Sequence, residues 1–162
     1  MGSRLKPAVF FITGTSGAGK STLVEHLKRA LSCAEVHDFD EGGVPAGADE
    51  KWRRERTNEW LKKAQINQKS GKTTVVCGVT VPEEIRQSPA FSESLNVHYG
   101  FIHIDEQEIR RRLKARGWAK KLTDDNVHWA QHLERCVKAE DGHFIVDGSV
   151  NDALRVAEIF IK

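Results

Sequence analysis

Residues Phe10 to Leu23, "FFITGTSGAGKSTL", decide the fold of this chain. The stretch runs from aromatic and β-branched residues into a turn with three glycines, and then into a lysine, a serine and a threonine. Glycine adopts backbone angles that other residues disfavour, so such a turn can curl until successive amide groups point at one centre. The stretch therefore predicts a strand followed by an anion-binding nest.

The spacing of Gly14, Gly19, Lys20 and Ser21 is that of the complete P-loop. In this pattern the lysine reaches the β- and γ-phosphates, and the serine hydroxyl joins the coordination shell of Mg²⁺. A strand-like run at 8–13 precedes the loop, and apolar residues at helical spacing follow it. We therefore predict that ATP and Mg²⁺ bind at the loop, which consists of Gly14, Thr15, Ser16, Gly17, Ala18, Gly19, Lys20, Ser21 and Thr22.

Length and composition predict a single soluble domain over residues 1–162. The formal net charge is only +2, so the total charge gives no reason to expect specific nucleic-acid binding. The three cysteines are widely spaced without a metal-type pairing, which fits a reducing compartment, and no apolar stretch is long enough to span a membrane. We expect a cytoplasmic monomer or homodimer that binds a small molecule and no membrane.

Strand-like runs alternate with helix-prone segments along the chain. The strands are predicted at 8–13, 34–38, 73–77, 96–104 and 143–147, and the later helices at 49–70, 106–116, about 124–138 and 153–161. This order predicts an α/β protein, a three-layer αβα sandwich with a five-stranded parallel sheet and the P-loop NTPase fold. Ligands bind beyond the carboxyl ends of such strands, so residues 14–21, 38–40, 78–82, 105 and 148–151 should share one rim.

Asp38 and Asp40 follow the second predicted strand. Residues i and i+2 of an extended segment point the same way, so both carboxylates could face the cleft. One could hold Mg²⁺ through water while the other takes the proton of an attacking hydroxyl. The third strand ends in Cys77-Gly78 instead of an aspartate, which favours Asp38 on the metal side and lowers the expectation of an AAA-type or switch-type ATPase. Gly78 would let a substrate or the backbone approach closely.

Arginines on two predicted helices are further candidates. Arg112 and Arg116 lie at the end of a core-facing helical stripe, where a guanidinium could clamp the γ-phosphate or stack on adenine. Residues 117–123 are predicted to form a small lid whose closure excludes water. Arg53 and Arg56 could grip a phosphate or carboxylate of the substrate, or they could lie on a solvated helix face.

The assembled chain resembles the small P-loop kinases, among them gluconate kinase, shikimate kinase, adenylylsulfate kinase and the nucleoside monophosphate kinases. The segments "GVPAGADEKWRRERTNEWL" and "RRRLKARG" are similar to gluconate kinase in particular. The resemblance implies that Lys20 and Ser21 serve ATP and Mg²⁺, that Asp38 and Asp40 serve the metal and the acceptor hydroxyl, and that Arg112 and Arg116 serve the lid.

The function that this resemblance implies is transfer of the γ-phosphate of ATP to a hydroxyl of a sugar acid or similar metabolite. By this pattern Lys20, Asp40, Arg112 and Arg116 would be catalytic. Arg53 and Arg56 keep open the alternative of a nucleoside or nucleotide acceptor. A non-kinase P-loop ATPase that acts through a partner is the alternative from a different class.

Overall fold

The structure is a computed structural model that describes residues 6–148, so the predicted helix at 153–161 and rim residues 149–151 lie outside the described part. Its strands are β1 (Val9–Thr13), β2 (Ala34–Asp38), β3 (Thr73–Cys77), β4 (Val97–His103) and β5 (Phe144–Asp147). They form one sheet in the order β2-β3-β1-β4-β5, and every neighbouring pair is parallel. The prediction of a five-stranded parallel sheet is confirmed.

Helices cover this sheet. They are α1 (Lys20–Ala30), α2 (Glu50–Lys69), α3 (Pro82–Gln87), α4 (Glu106–Ala115) and α5 (Lys120–Lys138). All five residues of β1 are buried, as are the last four of β3, because both faces of these central strands are covered. The molecule is therefore the predicted αβα sandwich. None of the helices that the structure describes is long and apolar enough to cross a membrane.

The position of β1 between β3 and β4 places the glycine-rich loop at the middle of the sheet's carboxyl edge. Two hydrogen bonds tie the segment after β3 to the end of β1. The amide of Gly78 donates to the carbonyl of Ile12 at 3.0 Å, and the amide of Thr80 donates to the hydroxyl of Thr13 at 3.0 Å. The loop after β1 and the loop after β3 therefore lie side by side, as expected for a ligand site at this edge.

Two features of the helices differ from the sequence prediction. The short helix α3 was not predicted, although Pro82 at its start and acidic residues in its first turn are typical of a helix N-terminus. Helix α5 begins at Lys120, about four residues earlier than predicted, because Thr123 is buried and its amide bonds to the carbonyl of Ala119. Residues 120–123 of the predicted lid therefore form the first turn of α5, and closure of this segment stays a prediction.

Gly78 is closely approached by Phe39, mainly by its side chain, whereas the sequence predicted a substrate or the backbone there. A Cβ atom on residue 78 would lie 2.1 Å from the Cβ of Phe39, far closer than non-bonded carbon atoms approach each other. Phe39 itself is buried, and its carbonyl accepts a hydrogen bond from the indole of Trp60 at 3.1 Å. Gly78 therefore lets the loop after β2 pack onto β3, which fixes where Asp38 and Asp40 stand.

We expect Gly78→Ala to lower the free energy of unfolding by about 3 kcal/mol, since either Phe39 or the end of β3 must move. Urea denaturation followed by circular dichroism would measure it. Gly142→Ala is the control, because residue 142 has a positive φ of 68° but open space, and it should lose only about 1 kcal/mol from backbone strain. Equal midpoints for Gly78→Ala and the wild type would contradict this packing.

Candidate active site

The loop between β1 and α1 has the backbone of an anion-binding nest. Gly17 and Gly19 have φ angles of 85° and 86°, in the left-handed region that favours glycine. Gly19 is the N-cap of α1, and Lys20 is the first residue of that helix. The free amide groups at a helix N-terminus and the positive end of its dipole both attract phosphate. The predicted phosphate loop is therefore formed with the expected strand before it and helix after it.

Side chains hold the carbonyl groups of three successive loop residues. The ammonium of Lys20 donates to the carbonyl of Thr15 at 2.7 Å. The carboxamide of Asn126 donates to the carbonyl of Ser16 at 3.1 Å, and the guanidinium of Arg112 donates to the carbonyl of Gly17 at 2.8 Å. Because these donors come from α1, α5 and α4, the three helices together fix the shape of the loop.

Asn126 was not among the residues predicted from the sequence, because one asparagine within a charged helix belongs to no motif. Its carboxamide also lies 3.3 Å from the hydroxyl of Thr15. We expect Asn126→Ala to raise the Kd for ATP about tenfold. Without these hydrogen bonds ATP binding must itself order the loop, which makes the free energy of binding about 1.4 kcal/mol less favourable. Titration calorimetry with an ATP analogue would measure the Kd. Asp125→Ala, the exposed neighbour on α5, is the control, and an unchanged Kd for Asn126→Ala would assign the contact to helix packing alone.

The two predicted lid arginines have different surroundings. Arg112 donates to Gly17 and to Glu108, the latter at 2.9 Å, so its guanidinium positions the loop. Arg116 is exposed at the C-cap of α4. Its positive charge is close enough to Lys20 to lower the pKa of that lysine. Arg116 therefore lies at the phosphate side of the site. The contacts of Arg112 instead fit a role in positioning the loop. Contact of either arginine with ATP stays a prediction.

Lys20 has an unusually low pKa. The pKa of Lys20 is lowered from 10.5 to about 8, mainly by burial of the ammonium and in smaller part by the charge of Arg116, while Asp40 and Asp38 oppose the shift. A bound triphosphate brings negative charge to this group and raises its pKa again. The affinity for ATP should therefore decrease as the pH rises through about 8.

At pH 8.5 we expect ATP binding to take up as much as about 0.8 of a proton, because most Lys20 side chains are neutral before binding. Calorimetric titrations in two buffers with different heats of ionisation would measure this uptake. Lys28→Met removes an exposed lysine from the same helix and should leave the uptake unchanged. A binding heat that is the same in both buffers would contradict the depressed pKa.

Asp38 and Asp40 both lie beside Lys20, but for a different reason from the one predicted. Strand β2 ends at Asp38 and the chain then turns, so the two residues are not part of one extended segment. The turn is closed by the amide of Asp40, which donates to a carboxylate oxygen of Asp38 at 2.9 Å. The other oxygen of Asp38 accepts from the hydroxyl of Ser21 at 3.3 Å. The structure thus brings Asp38 to the first turn of α1.

Asp40 has a carboxyl pKa above the ordinary aspartate value. Burial raises the pKa of its carboxyl, and the negative charge of Asp38 raises it further, although Lys20 and Arg56 act in the opposite direction. A carboxylate with a raised pKa is a better proton acceptor than an ordinary one. Asp40 can therefore serve as a general base, while Asp38 stays next to the serine hydroxyl.

Oxygen donors suited to Mg²⁺ are present at this point. The Ser21 hydroxyl and the Asp38 carboxylate are the types of ligand that Mg²⁺ prefers, and it commonly uses one or two protein groups together with phosphates and water. Within residues 6–148 no group of three or more His, Cys, Asp or Glu side chains is arranged to hold a metal alone. The donor set fits a magnesium ion that arrives with a nucleotide.

The predicted substrate arginines both have protein partners. Arg53 donates two hydrogen bonds to Glu84 on α3, at 2.8 and 2.6 Å. Arg56 donates to the backbone carbonyls of Phe39 and Glu41 and therefore holds the loop after β2. Gly78, the third predicted substrate residue besides Asp40, is occupied by its contact with Phe39. Contact of these residues with a substrate stays a prediction, and their visible contacts are internal.

Comparisons with known proteins agree on the fold. The family model described as AAA domain matches residues 11–128. The end of β3 in Cys77-Gly78, without an aspartate, lowered the expectation of an AAA-type ATPase, and the family description, AAA domain, does not agree with that expectation. A search of the curated protein sequences finds no significant match.

Among solved structures, the chain is similar to two shikimate kinases and a sugar kinase. The Aquifex aeolicus shikimate kinase is 20% identical, with a TM-score of 0.62 over 94% of this chain and 93% of that one. The Bacteroides thetaiotaomicron shikimate kinase is 17% identical, with a TM-score of 0.62 over 96% and 99%. A sugar kinase from Janibacter sp. is 12% identical, with a TM-score of 0.62 over 96% and 92%. At these identities the likeness establishes the fold, that of the small P-loop kinases.

Proposed function

We propose that this chain, which belongs to the P-loop family described as AAA domain, is an ATP-dependent phosphotransferase that moves the γ-phosphate of ATP to a hydroxyl of a small molecule. The observation that carries the proposal is the position of Asp40. Its carboxylate has a raised pKa and stands close enough to Lys20 for their charges to interact. A phosphate-binding lysine beside a basic carboxylate is the arrangement that transfer to a hydroxyl needs.

Each step of the transfer has a candidate group in the chain. The loop amides and Lys20 hold the triphosphate, and Asn126 and Arg112 keep the loop in shape. Asp40 takes the proton of the acceptor hydroxyl as its oxygen bonds to the γ-phosphorus and the bond to the leaving ADP oxygen breaks. Mg²⁺ held by Ser21 and Asp38 would offset the negative charge of the phosphates. Closure at residues 117–119 would keep water from competing with the acceptor.

The alternative from a different class is a P-loop ATPase that acts through a protein partner. Its support is the family description, AAA domain, together with the general rule that one fold can host unrelated functions. The raised pKa of Asp40 beside Lys20 favours the kinase, because transfer to a hydroxyl needs a group that takes the hydroxyl proton. A nucleoside or nucleotide acceptor remains within the kinase proposal.

The two classes differ in what ATP consumption requires. Purified protein would be given ATP and Mg²⁺ with a panel of sugars, sugar acids, nucleosides and nucleotides. We expect ADP to form only with a suitable acceptor, together with an equal amount of phosphorylated product by mass spectrometry. ATP turnover that is the same with every acceptor and with none would contradict the kinase proposal and support the ATPase.

A further inference from the structure

The turn that carries Asp40 is closed by hydrogen bonds of its own backbone. The amide of Asp40 donates to the carboxylate of Asp38 at 2.9 Å, and the carbonyl of Asp40 accepts from the amide of Gly43 at 2.9 Å. The amide of Glu41 donates to the carbonyl of Asp38 at 3.0 Å. These bonds shape the turn from within, whereas contacts with other elements decide where it lies.

Arg56 supplies such a contact from the second turn of α2. Its Nε donates to the carbonyl of Phe39 at 3.3 Å, and another nitrogen of the same guanidinium donates to the carbonyl of Glu41. Phe39 and Glu41 are the two neighbours of Asp40 in the chain. One planar, pre-organised group therefore holds the backbone immediately before and immediately after the candidate base.

The guanidinium of Arg56 is itself held in place. It lies over the ring of Trp60, 4.7 Å from the centroid, and its third nitrogen donates to Glu59 at 2.8 Å. Trp60 is buried, and its indole donates to the same carbonyl of Phe39 at 3.1 Å. All three nitrogens of Arg56 therefore have acceptors within the protein, and two of these acceptors belong to the turn.

The segment after Asp40 has little else to restrain it. Gly42 and Gly43 have φ angles of 91° and 99°, and open space surrounds the positions where their Cβ atoms would lie. Residues 41–50 are all exposed. Glycine loses more conformational freedom on ordering than any other residue, so such a segment resists being held in one place. Without Arg56 the turn would be freer to carry Asp40 away from the phosphate loop.

From these contacts we propose that Arg56 is a positioning residue, which holds Asp40 at the phosphate loop through the backbone of the turn, in place of the substrate contact that the sequence predicted for it. This role rests on the proposed phosphotransferase function, in which Asp40 is the base. Positive charge at this edge also comes from Lys20 and from the exposed Arg116, so what Arg56 adds is position. A misplacement of about 1 Å can cost about a hundredfold in rate.

Arg56→Gln separates positioning from acceptor binding. With ATP, Mg²⁺ and the productive acceptor, we expect kcat to fall about tenfold to a hundredfold, while the KM values for ATP and for the acceptor stay within about twofold. Arg54→Gln makes the same change two residues earlier on α2, at a side chain that bonds to Glu50, and should retain the wild-type kcat. A raised KM for the acceptor with an unchanged kcat in Arg56→Gln would assign the residue to substrate binding and overturn the inference.

A double-mutant cycle shows whether Arg56 acts through Asp40. In an Asp40→Asn background, Arg56→Gln should change kcat by less than about twofold, because no base is left to position. Equal losses of kcat from Arg56→Gln in the wild-type and Asp40→Asn backgrounds would mean that Arg56 acts independently of Asp40. That result also overturns the inference.

Amide hydrogen exchange measures the same restraint without the reaction. The amides of Glu41 and Gly43 should exchange about tenfold faster in Arg56→Gln than in the wild type, as followed by NMR, because the turn opens more often. The amides of β1 should keep their wild-type rates. Unchanged exchange at Glu41 and Gly43 would show that the turn keeps its place without Arg56, contrary to the inference.

Arg56→Lys is the second variant, and it decides alone if Arg56→Gln does not fold, as judged by circular dichroism. It keeps the positive charge but replaces the planar fork with a compact ammonium, so kcat should still fall at least about threefold with little change in either KM. A wild-type kcat in Arg56→Lys would mean that charge suffices, and would overturn the inference. If the wild type phosphorylates no acceptor, the proposed function fails and the inference with it; if it is active, the variants alone decide.

Discussion

Lys20→Ala should reduce kcat about a thousandfold or more, the largest effect expected from any single substitution in this chain. Lys20 is the first residue of α1, and its ammonium lies within the phosphate loop, on the carbonyl of Thr15. Phosphoryl transfer depends on cations that offset charge on the γ-phosphate, and alanine supplies none. A steady-state assay of ADP formation with the productive acceptor would measure the loss.

The fold should tolerate this substitution. Burial destabilises the charged form of Lys20, as its lowered pKa indicates, so removing the charge should leave the midpoint of thermal unfolding unchanged or slightly higher. Lys28→Ala, at an exposed position on the same helix, should retain full activity and stability. Activity of Lys20→Ala within tenfold of the wild type would mean that the phosphates bind elsewhere.

Asp40→Asn should lower kcat by about a hundredfold to a thousandfold while the KM for ATP stays nearly constant. The amide has the size of the carboxylate but cannot accept the proton of the acceptor hydroxyl. Since the loop amides and Lys20 hold ATP without help from Asp40, binding of ATP should survive. A kcat equal to that of the wild type would remove Asp40 from the mechanism.

The pH dependence separates a base from a merely structural carboxylate. The pKa of Asp40 is raised by burial and by Asp38, so wild-type kcat/KM should decrease on the acid side as Asp40 becomes protonated, at a pH above that of an ordinary aspartate. Asp40→Asn should lose this acid limb together with most of its activity. Glu41→Gln, a change of the same kind at the next residue, should retain both the limb and the activity.

The central part of the fold could be predicted because its signals are local. The run before Gly14 is apolar and β-branched, and the spacing from Gly14 to Ser21 has one well-understood geometry, so strand, loop and helix follow from 14 residues, Phe10 to Leu23. The bounds predicted for β2 and β3 match the structure residue for residue. Helix α3 was missed because six residues are too few to give a helical period.

The sequence was enough to place single residues of the candidate site at the sheet edge, but not to predict the contacts that orient them. Asp38 and Asp40 could be placed at the sheet edge because they follow a strand, but the turn that aims them depends on Phe39 fitting against Gly78, a contact between residues 39 positions apart in the chain. Two arginine contacts also join distant positions: Arg53 and Glu84 are 31 positions apart, and Arg112 and Gly17 are 95 positions apart. No sequence pattern pairs Arg53 with Glu84, or Arg112 with the carbonyl of Gly17, because tertiary packing decides which carboxylate or carbonyl a long side chain meets.

The most direct test of the whole account is a crystal structure of the protein with Mg²⁺ and a non-hydrolysable ATP analogue. We expect a triphosphate enclosed by the amides of residues 14–21, with Ser21 and Asp38 at the metal and the Asp40 carboxylate facing the γ-phosphorus. A triphosphate bound away from this loop, or both aspartates turned into bulk solvent with the nucleotide in place, would contradict it.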